Sequence, residues 1–281
     1  MSYRTILLHA DMAHHAAARY ALGCRLAALF DAHLIGAAAT GISRFAPVAV
    51  AAGIWPLTAE HMTQMSDSAS KALENCAISA TTHAVNSYES RLLSDDAASA
   101  LLLQSSCADL LVLSQDDGNE TLADRASALV PSLLLHGARP ILVVPKVSRV
   151  PLDAKPCQHP LLAWDGSNHS ARALLDAVPL LKLAHKVTLL VLNAGQHAGQ
   201  HSQQAGADMS LFLARHGVPV ELISDSTELP VAEAILGQAR ALGNDLLVMG
   251  GYGHTRWSEA VLGGVTSTIL DTMDLPVLVA H

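Results

Sequence analysis

With 281 residues, the chain is long enough for two domains of ordinary size, each with its own core. Hydrophobic residues make up 51% of the sequence but aromatic residues only 4%, so the cores must be built from Ala, Leu and Val, which favours helices packed on a sheet over a β-sandwich. The net charge of −8, with only 17 Lys and Arg residues, provides no basic surface for a phosphate backbone, and we expect no nucleic-acid partner.

The cysteines and the first residues bear on the cellular compartment. The four cysteines are widely spaced and form no CxxC pair, which is typical of reduced structural thiols. The first residues, MSYRTILLHAD, enter a strand pattern directly, without the basic region and cleavage site of a signal peptide. The most apolar stretch, 34–57, is interrupted by Gly, Arg and Pro, so no transmembrane helix is predicted. We therefore expect a cytoplasmic protein with no membrane partner.

Strand patterns open and close the first half of the chain. Residues 5–10 form an apolar run that ends in Asp11, and further apolar runs cover 108–113 and 139–144. The segment 146–159 is rich in Pro, Val and Lys and has no clear periodicity, so we interpret it as a linker between two domains.

The second half alternates strand and helix patterns. Its first apolar run ends in Asp165, after which Ser167 or Asn168 can cap a helix. The later segments are predicted as strands at 187–192, 218–223, 246–249 and 277–280 and as helices at 207–216, 231–242 and 257–273. Five strands alternating with four helices predict a mainly parallel sheet with right-handed crossovers. If the first and fourth strands are neighbours, Asp165 and Gly250 converge at the carboxyl edge of that sheet.

The two halves carry the same signals in the same order, which indicates an internal repeat. Asp109 and Asp245 precede equivalent strands and are 136 residues apart. The opening aspartates, Asp11 and Asp165, are 154 residues apart. The first half therefore carries about 18 extra residues, which we assign to an insertion at 44–60.

The most informative stretch is the run LLVMGGYGHTRWSEAVLGGVTSTIL near the C-terminus. Gly250 and Gly253 lie in the turn after an apolar strand, and Gly263 comes ten residues after Gly253. Glycine lets backbone amides approach an anion closely, and a helix start favours negative charge. The pattern is neither a Walker loop nor GxGxxG, but it predicts a phosphate site. Arg256 and His254 follow closely enough to reach a phosphate, but solvent exposure is the simpler explanation and is favoured for His254.

Three pieces of sequence together resemble the universal stress protein family: AWDGS at 163–167, LPVLVAH at 275–281, and the array Gly250-x2-Gly253-x9-Gly263. The duplication resembles the tandem members of that family. The resemblance covers nearly the whole chain. It implies two Rossmann-like α/β domains, each with a five-stranded mainly parallel sheet in the order 3-2-1-4-5, flanked by helices.

The domains implied by the resemblance are 1–146 and 147–281, the second with a site for ATP or another adenine nucleotide and its associated Mg²⁺. Asp165 would lie by the ribose. The other candidate residues, around the phosphates, are Met249, Gly250, Gly253, Arg256, Gly263, Gly264 and Val265. Gly264 stands where nucleotide-binding members have Ser or Thr, so one hydroxyl donor is missing.

A structural interpretation of the same residues remains open. Asp-Gly-Ser after a strand is also an ordinary turn and helix cap, and the glycines can serve packing alone. The resemblance implies a stress-response regulator that binds nucleotide and signals through protein interactions. The alternative is a nucleotide-independent scaffold of the same fold.

The first half departs further from the family pattern. Ser114-Gln115-Asp116-Asp117 stands where the glycine turn belongs, and carboxylates repel phosphate. We predict that this domain binds no nucleotide, although it keeps Asp11.

No catalytic residue or resident metal site is identified, and any ATP hydrolysis would be slow. His197 and His201 have the spacing of helical metal ligands, but they lie in a Gly- and Gln-rich segment interpreted as a loop. The resemblance further implies that the closing strands of the two halves pair the domains within one chain, or pair two chains in a homodimer.

Overall fold

A computed structural model describes residues 2–41, 59–116, 128–152, 155–193, 201–252 and 264–281. The described strands are β1 (Thr5–His9), β2 (His33–Ala39), β3 (Ser87–Leu93), β4 (Leu110–Ser114), β5 (Ile141–Val144), β6 (Pro160–Ala163), β7 (Val187–Leu192), β8 (Val220–Asp225), β9 (Leu246–Gly250) and β10 (Val277–Ala280). The described helices are α1 (Ala16–Phe30), α2 (Ala59–Thr82), α3 (Ala97–Ser105), α4 (Leu129–His136), α5 (Asn168–Leu181), α6 (His201–Arg215), α7 (Val231–Ala241) and α8 (Gly264–Thr272).

The chain divides into two compact units. The N-terminal unit comprises Tyr3–Ser114 and residues 120–139, and the C-terminal unit comprises residues 1–2, 115–119 and 140–281. Strand β5 therefore belongs to the C-terminal unit. The domain bounds of 1–146 and 147–281 stay a prediction.

The N-terminal unit contains four parallel strands in the order β3-β2-β1-β4. Leu7 of β1 lies opposite Ile35 on one side and Leu111 on the other. All five residues of β4, and all but the first of β1, are buried. Such continuous apolar runs are typical of parallel strands covered on both faces.

The C-terminal unit has the order β5-β10-β9-β6-β7-β8. Strands β10, β9, β6, β7 and β8 are parallel and follow the predicted 3-2-1-4-5 order, which is confirmed. The expectation of two five-stranded sheets was wrong. Strand β5 pairs antiparallel with β10, so four strands belong to the N-terminal unit and six to the C-terminal unit. Both strands are short and fully buried, so the backbone N–H and C=O groups along their edges need hydrogen-bond partners within the protein. The closing strands thus pair within one chain, and a homodimer stays a prediction.

Several element boundaries differ from the predicted ones. The side chain of Ser167 accepts a hydrogen bond from the N–H of Ser170 at 3.1 Å, which confirms it as the cap of α5. Helix α6 begins at His201, so the loop predicted there was wrong for His201, while His197 lies outside the described residues. The predicted insertion at 44–60 lies outside them too, except for the first two residues of α2. In the described ranges, no helix has both the length and the apolar character that a membrane span requires.

An aspartate before the fourth strand of each repeat ties that strand to the start of the first. Oδ2 of Asp109 accepts hydrogen bonds from the backbone N–H groups of residues 4 and 5, at 2.7 and 2.9 Å. Asp245 accepts from the N–H groups of residues 158 and 159, at 2.6 and 2.9 Å, but uses one carboxylate oxygen for each. The two aspartates therefore hold equivalent places in the repeat.

We expect Asp245→Asn to destabilise the chain more than Asp109→Asn. At Asp245 both oxygens accept, so an amide NH₂ would face a backbone N–H and leave it unpaired, at a cost of about 1–3 kcal/mol. At Asp109 the amide oxygen can replace the single accepting oxygen. Urea unfolding followed by circular dichroism measures both losses. Equal losses would contradict the unequal bonding described above.

Candidate functional site

The first and fourth strands of the second repeat are neighbours. Leu162 of β6 lies opposite Val248 of β9, and both strands point the same way. Because parallel strands end at the same edge, the turn that carries Asp165 and the turn after Gly250 lie together at the carboxyl edge. The neighbours of β6, namely β7 and β9, lie on opposite sides of it, so this edge is also the point where the strand order reverses.

Asp165 presents an ionised carboxylate at this edge. Its Oδ1 accepts a hydrogen bond from the N–H of Ser167 at 2.9 Å, so the residue forms the turn that leads into α5. Partial burial opposes ionisation, but hydrogen bonds from Ser170 and Ser167 hold the pKa of Asp165 below its ordinary value. The residue remains exposed to solvent. It therefore serves the turn and also offers a negative hydrogen-bond acceptor.

Gly250 is required by packing. A Cβ atom at this position would lie 2.5 Å from the backbone N of Ser170 and 2.7 Å from the backbone C of His169. The first turn of α5 therefore rests directly on the end of β9. This contact accounts for one glycine of the predicted array without a ligand.

The turn after β9 is joined to the start of α8. Tyr252 is buried and has φ of +53°, a left-handed conformation that is uncommon for a residue other than glycine. Its backbone N–H donates to Oγ1 of Thr266 at 3.2 Å. Burial also raises the pKa of Tyr252 to about 12, so its hydroxyl stays protonated. The two segments that the sequence predicts around a phosphate are thus held together.

Gly264 and Val265 form the exposed beginning of α8. The first amides of a helix have no intrahelical partner and favour negative groups. Among the described residues, no atom lies within 4 Å of a Cβ built at Gly264, so they leave room for a serine side chain there. Met249 is buried in β9, which leaves its side chain in the core.

The remaining candidates Gly253, Arg256 and Gly263, and the neighbouring His254, lie outside the described residues.

Two histidines at the same edge were not predicted. The rings of His169 and His281 stack with centroids 4.2 Å apart and an interplanar angle of 20°. Nδ1 of His281 lies 3.0 Å from the carbonyl oxygen of Gly251. Burial, and then the charge of His281, lower the pKa of His169. His281 directly follows β10, and His169 is the second residue of α5, which starts after the turn that follows β6. Their positions beyond strand ends are the signal that could have identified them.

The edge therefore combines a carboxylate that accepts hydrogen bonds with a helix start that favours anions. Residues 158–281 match the model of the universal stress protein family. The C-terminal part of the chain is a universal stress protein domain.

Solved structures extend the same fold to the whole chain. A universal stress protein from Archaeoglobus fulgidus DSM 4304 is similar over 99% of this chain and 96% of its own, with a TM-score of 0.74 and 15% identity. A functionally unknown protein from Pseudomonas aeruginosa PAO1 is similar over 99% and 92%, with a TM-score of 0.58 and 16% identity. A universal stress protein in complex with cAMP covers 52% of this chain and 99% of its own, with a TM-score of 0.39 and 21% identity. The search of curated proteins gives no match.

In the N-terminal unit, the aspartate after the first strand, Asp11, has different partners from Asp165 in the universal stress protein domain. Nη2 of Arg19 donates to Oδ1 of Asp11 at 2.7 Å, and Nη1 donates to Oγ of Ser114 at 2.6 Å. Arg19 is only 1% exposed. Burial opposes ionisation of Asp11, but the charges of Arg19 and then His9 keep its pKa below the ordinary value. This half-buried aspartate is paired with the buried Arg19.

The residues in place of the glycine turn also make internal contacts. Within the C-terminal unit, Nε2 of Gln115 donates to the carbonyl oxygens of Leu270 and Asp271, at 2.8 and 2.9 Å. Its Oε1 accepts from the N–H of Lys146 at 3.1 Å. Asp117 lies outside the described residues. The absence of nucleotide binding in the first domain stays a prediction. Among the described residues, no three His, Cys, Asp or Glu side chains cluster as metal ligands would.

Replacing Gly250 by alanine should destabilise the universal stress protein domain. The added methyl group would overlap the backbone of α5, and relieving such overlap costs about 1–3 kcal/mol. Gly237→Ala is the matched control, because Gly237 lies exposed within α7 and no atom of the described residues lies within 4 Å of a Cβ there. That variant should be neutral or more stable, since alanine favours helix. Thermal unfolding compares the two, and a Gly250→Ala variant as stable as the control would refute the packing role.

His9 should make stability depend on pH. Burial, followed by the charge of Arg19, lowers the pKa of His9 from 6.5 to about 4. Between these pH values, His9 is protonated in the unfolded state but neutral in the folded state. The free energy of unfolding therefore decreases as pH falls from 6.5 towards 4, by up to about 3 kcal/mol. His9→Gln should flatten that dependence, whereas His136→Gln, at an exposed position, should not. Urea midpoints measured across this range test the expectation, and parallel profiles for wild type and His9→Gln would contradict it.

Proposed function

We propose that the universal stress protein domain binds an adenine nucleotide, ATP or a related adenylate, and that the chain acts as a stress-response regulator through protein interactions. The observation that carries the proposal is the meeting of Asp165, the turn after β9 and the start of α8 at one edge. In open parallel α/β sheets, ligands bind in the crevice where the strand order reverses, and that crevice lies between β6 and β9.

The chemistry of the edge fits a ligand with a sugar and a polyanion. A carboxylate oxygen can accept more than one hydrogen bond, so Asp165 can hold its turn and still accept from ribose hydroxyls. The amides of Gly264 and Val265 would donate to phosphate oxygens, aided by the helix dipole. Gly250, Gly253, Gly263 and Arg256 complete the proposed phosphate contacts, and Met249 contributes backbone at the strand end. Any Mg²⁺ would arrive with the nucleotide.

The binding step would regulate partners by favouring one state of the domain. A nucleotide touching Asp165 and α8 contacts both sides of the β6–β9 crevice. Such a ligand shifts protein interactions only as far as it binds one state more tightly than another. The partners include, on this proposal, a second copy of the chain. The free cysteines support a cytoplasmic location, because three of the four are buried thiols without disulfides.

The alternative is a scaffold of the same fold that binds no nucleotide. Two observations favour it: Gly250 is explained by the approach of α5, and Gly264 removes a hydroxyl donor that nucleotide-binding members have. On this alternative, Asp165 acts only as a turn residue before α5.

Restoring the missing hydroxyl should strengthen ATP binding. A serine at Gly264 adds one hydrogen bond, so Gly264→Ser should tighten the Kd by about twofold to tenfold. Asp165→Ala should weaken the Kd by about tenfold or more, since it removes charge-assisted bonds. Calorimetry on protein stripped of endogenous ligand measures both.

Purified protein, denatured and analysed by mass spectrometry, should release about one adenylate per chain.

Matched controls separate binding from folding. Gly237→Ser introduces the same side chain on an exposed helix face, and Asp225→Ala removes an exposed carboxylate that accepts from the next N–H, at the end of β8. Neither should change the Kd. No released adenylate and no ATP heat, with Gly264→Ser and Asp165→Ala both without effect, would favour the scaffold.

A further inference from the structure

A cavity of about 730 Å³ opens in the N-terminal unit, away from the nucleotide site proposed above. The described residues that line it are 9–12 at the end of β1, 39–41 at the end of β2, and His61, Gln64, Met65, Asp67, Ser68 and Ala69 of α2. Cavities of this size are typical of small-molecule sites. The cavity is present although the sequence predicts that this unit binds no nucleotide.

The backbone of the cavity offers little to an anion. The N–H of Ala10 donates to the carbonyl oxygen of Ala37 at 2.7 Å. Those of Thr40 and Gly41 donate to the carbonyl oxygens of residues 93 and 95, at 2.9 and 3.0 Å. Because phosphate binding depends on free backbone amides, these three amides offer no donor to a phosphate.

His9 presents an acceptor to the cavity. The residue is 8% exposed, and its Nδ1 lies 3.4 Å from Oδ2 of Asp11. In a neutral imidazole, the neighbouring carboxylate favours the proton on Nδ1, which leaves a lone pair on Nε2. Within the described ranges, Nε2 has no hydrogen-bond partner of its own. This lone pair can therefore accept a hydrogen bond from a ligand that donates.

The charges around the cavity are negative. Asp67 lines it from α2 and forms no ion pair in the part of the chain that the structure describes. None of the described lining residues is Lys or Arg. Arg19 lies behind the wall, where it pairs with Asp11. Met12 and Met65 add an apolar, adaptable surface.

We propose that this cavity binds a small organic cation, an amine or amidine on an apolar body, and that it rejects anions. The cationic group donates to Nε2 of His9 and is attracted by Asp67, while the apolar body lies against Met12 and Met65. This site is independent of the nucleotide proposal, because it shares no residue with that site.

The test compares two planar molecules of matched size and opposite charge on the full chain. Benzamidine should shift the backbone amide resonances of Ala10, Thr40 and Gly41 in a saturable NMR titration, with a Kd of about 1–10 mM for so small a molecule. Benzoate should leave these resonances unchanged at the same concentrations. ATP should not shift them either, whatever it does at Asp165.

Charge reversal at Asp67 sharpens the test. Asp67 is exposed, so Asp67→Lys should fold, and it should weaken benzamidine at least about fivefold by exchanging attraction for repulsion. Glu74→Lys is the matched control, since Glu74 lies exposed on the same helix outside the cavity lining and should have no such effect. The proposal is overturned if benzamidine shifts no cavity amide, if benzoate or ATP shifts them as strongly, or if the two lysine variants behave alike.

Discussion

The burial of parallel strands on both faces is the constraint on which both units depend. Strands β1, β4, β6 and β9 are almost entirely buried, so they carry apolar side chains in succession. Polar groups are therefore excluded from the strands and collect where the strands end. Since buried backbone must also be paired, β1 is fixed beside β4 and β6 beside β9, which determines the residues that meet at each carboxyl edge. The chemistry of the protein thus depends on a few residues after each strand.

The two edges differ through a small number of equivalent positions. Allowing for the longer first half, Arg19 corresponds to Ala173 and Ser114 to Gly250. A buried arginine needs partners, and Ser114 and Asp11 supply them. In the other unit, alanine leaves no charge to satisfy and Gly250 lets α5 approach the strand end. In the described residues, the carboxylate there is held by Ser167 and Ser170 at the start of α5 and has no arginine partner. One edge neutralises its aspartate internally, and the other leaves it available to a ligand.

The sequence predicted the features that periodicity and local chemistry encode. The strand and helix segments of the second half and the Ser167 cap follow from apolar runs and turn residues within about 20 residues of each other. The 3-2-1-4-5 strand order was implied by the resemblance to the universal stress protein family. The antiparallel partner of β5, the stacking of His169 on His281 and the bridge from Arg19 to Ser114 join residues that are distant in the chain. No local pattern predicts such contacts. Gly250 was predicted only in part. Its place in the glycine array identified it as a candidate, but its contact with α5 is evident only in the structure.

On the proposals above, a unit without the groups that bind phosphate can still bind a ligand of another kind. Packing of α2 beyond the ends of β1 and β2 leaves a space, whatever follows β4. What the space accepts depends on its walls, and these offer a carboxylate, an imidazole acceptor and thioethers in place of free amides. A polyanion is disfavoured by Asp67, and a cation is disfavoured at a helix start such as Gly264. The two proposed sites therefore select opposite charges, so the same ligand cannot compete for both, and each unit can report a different molecule.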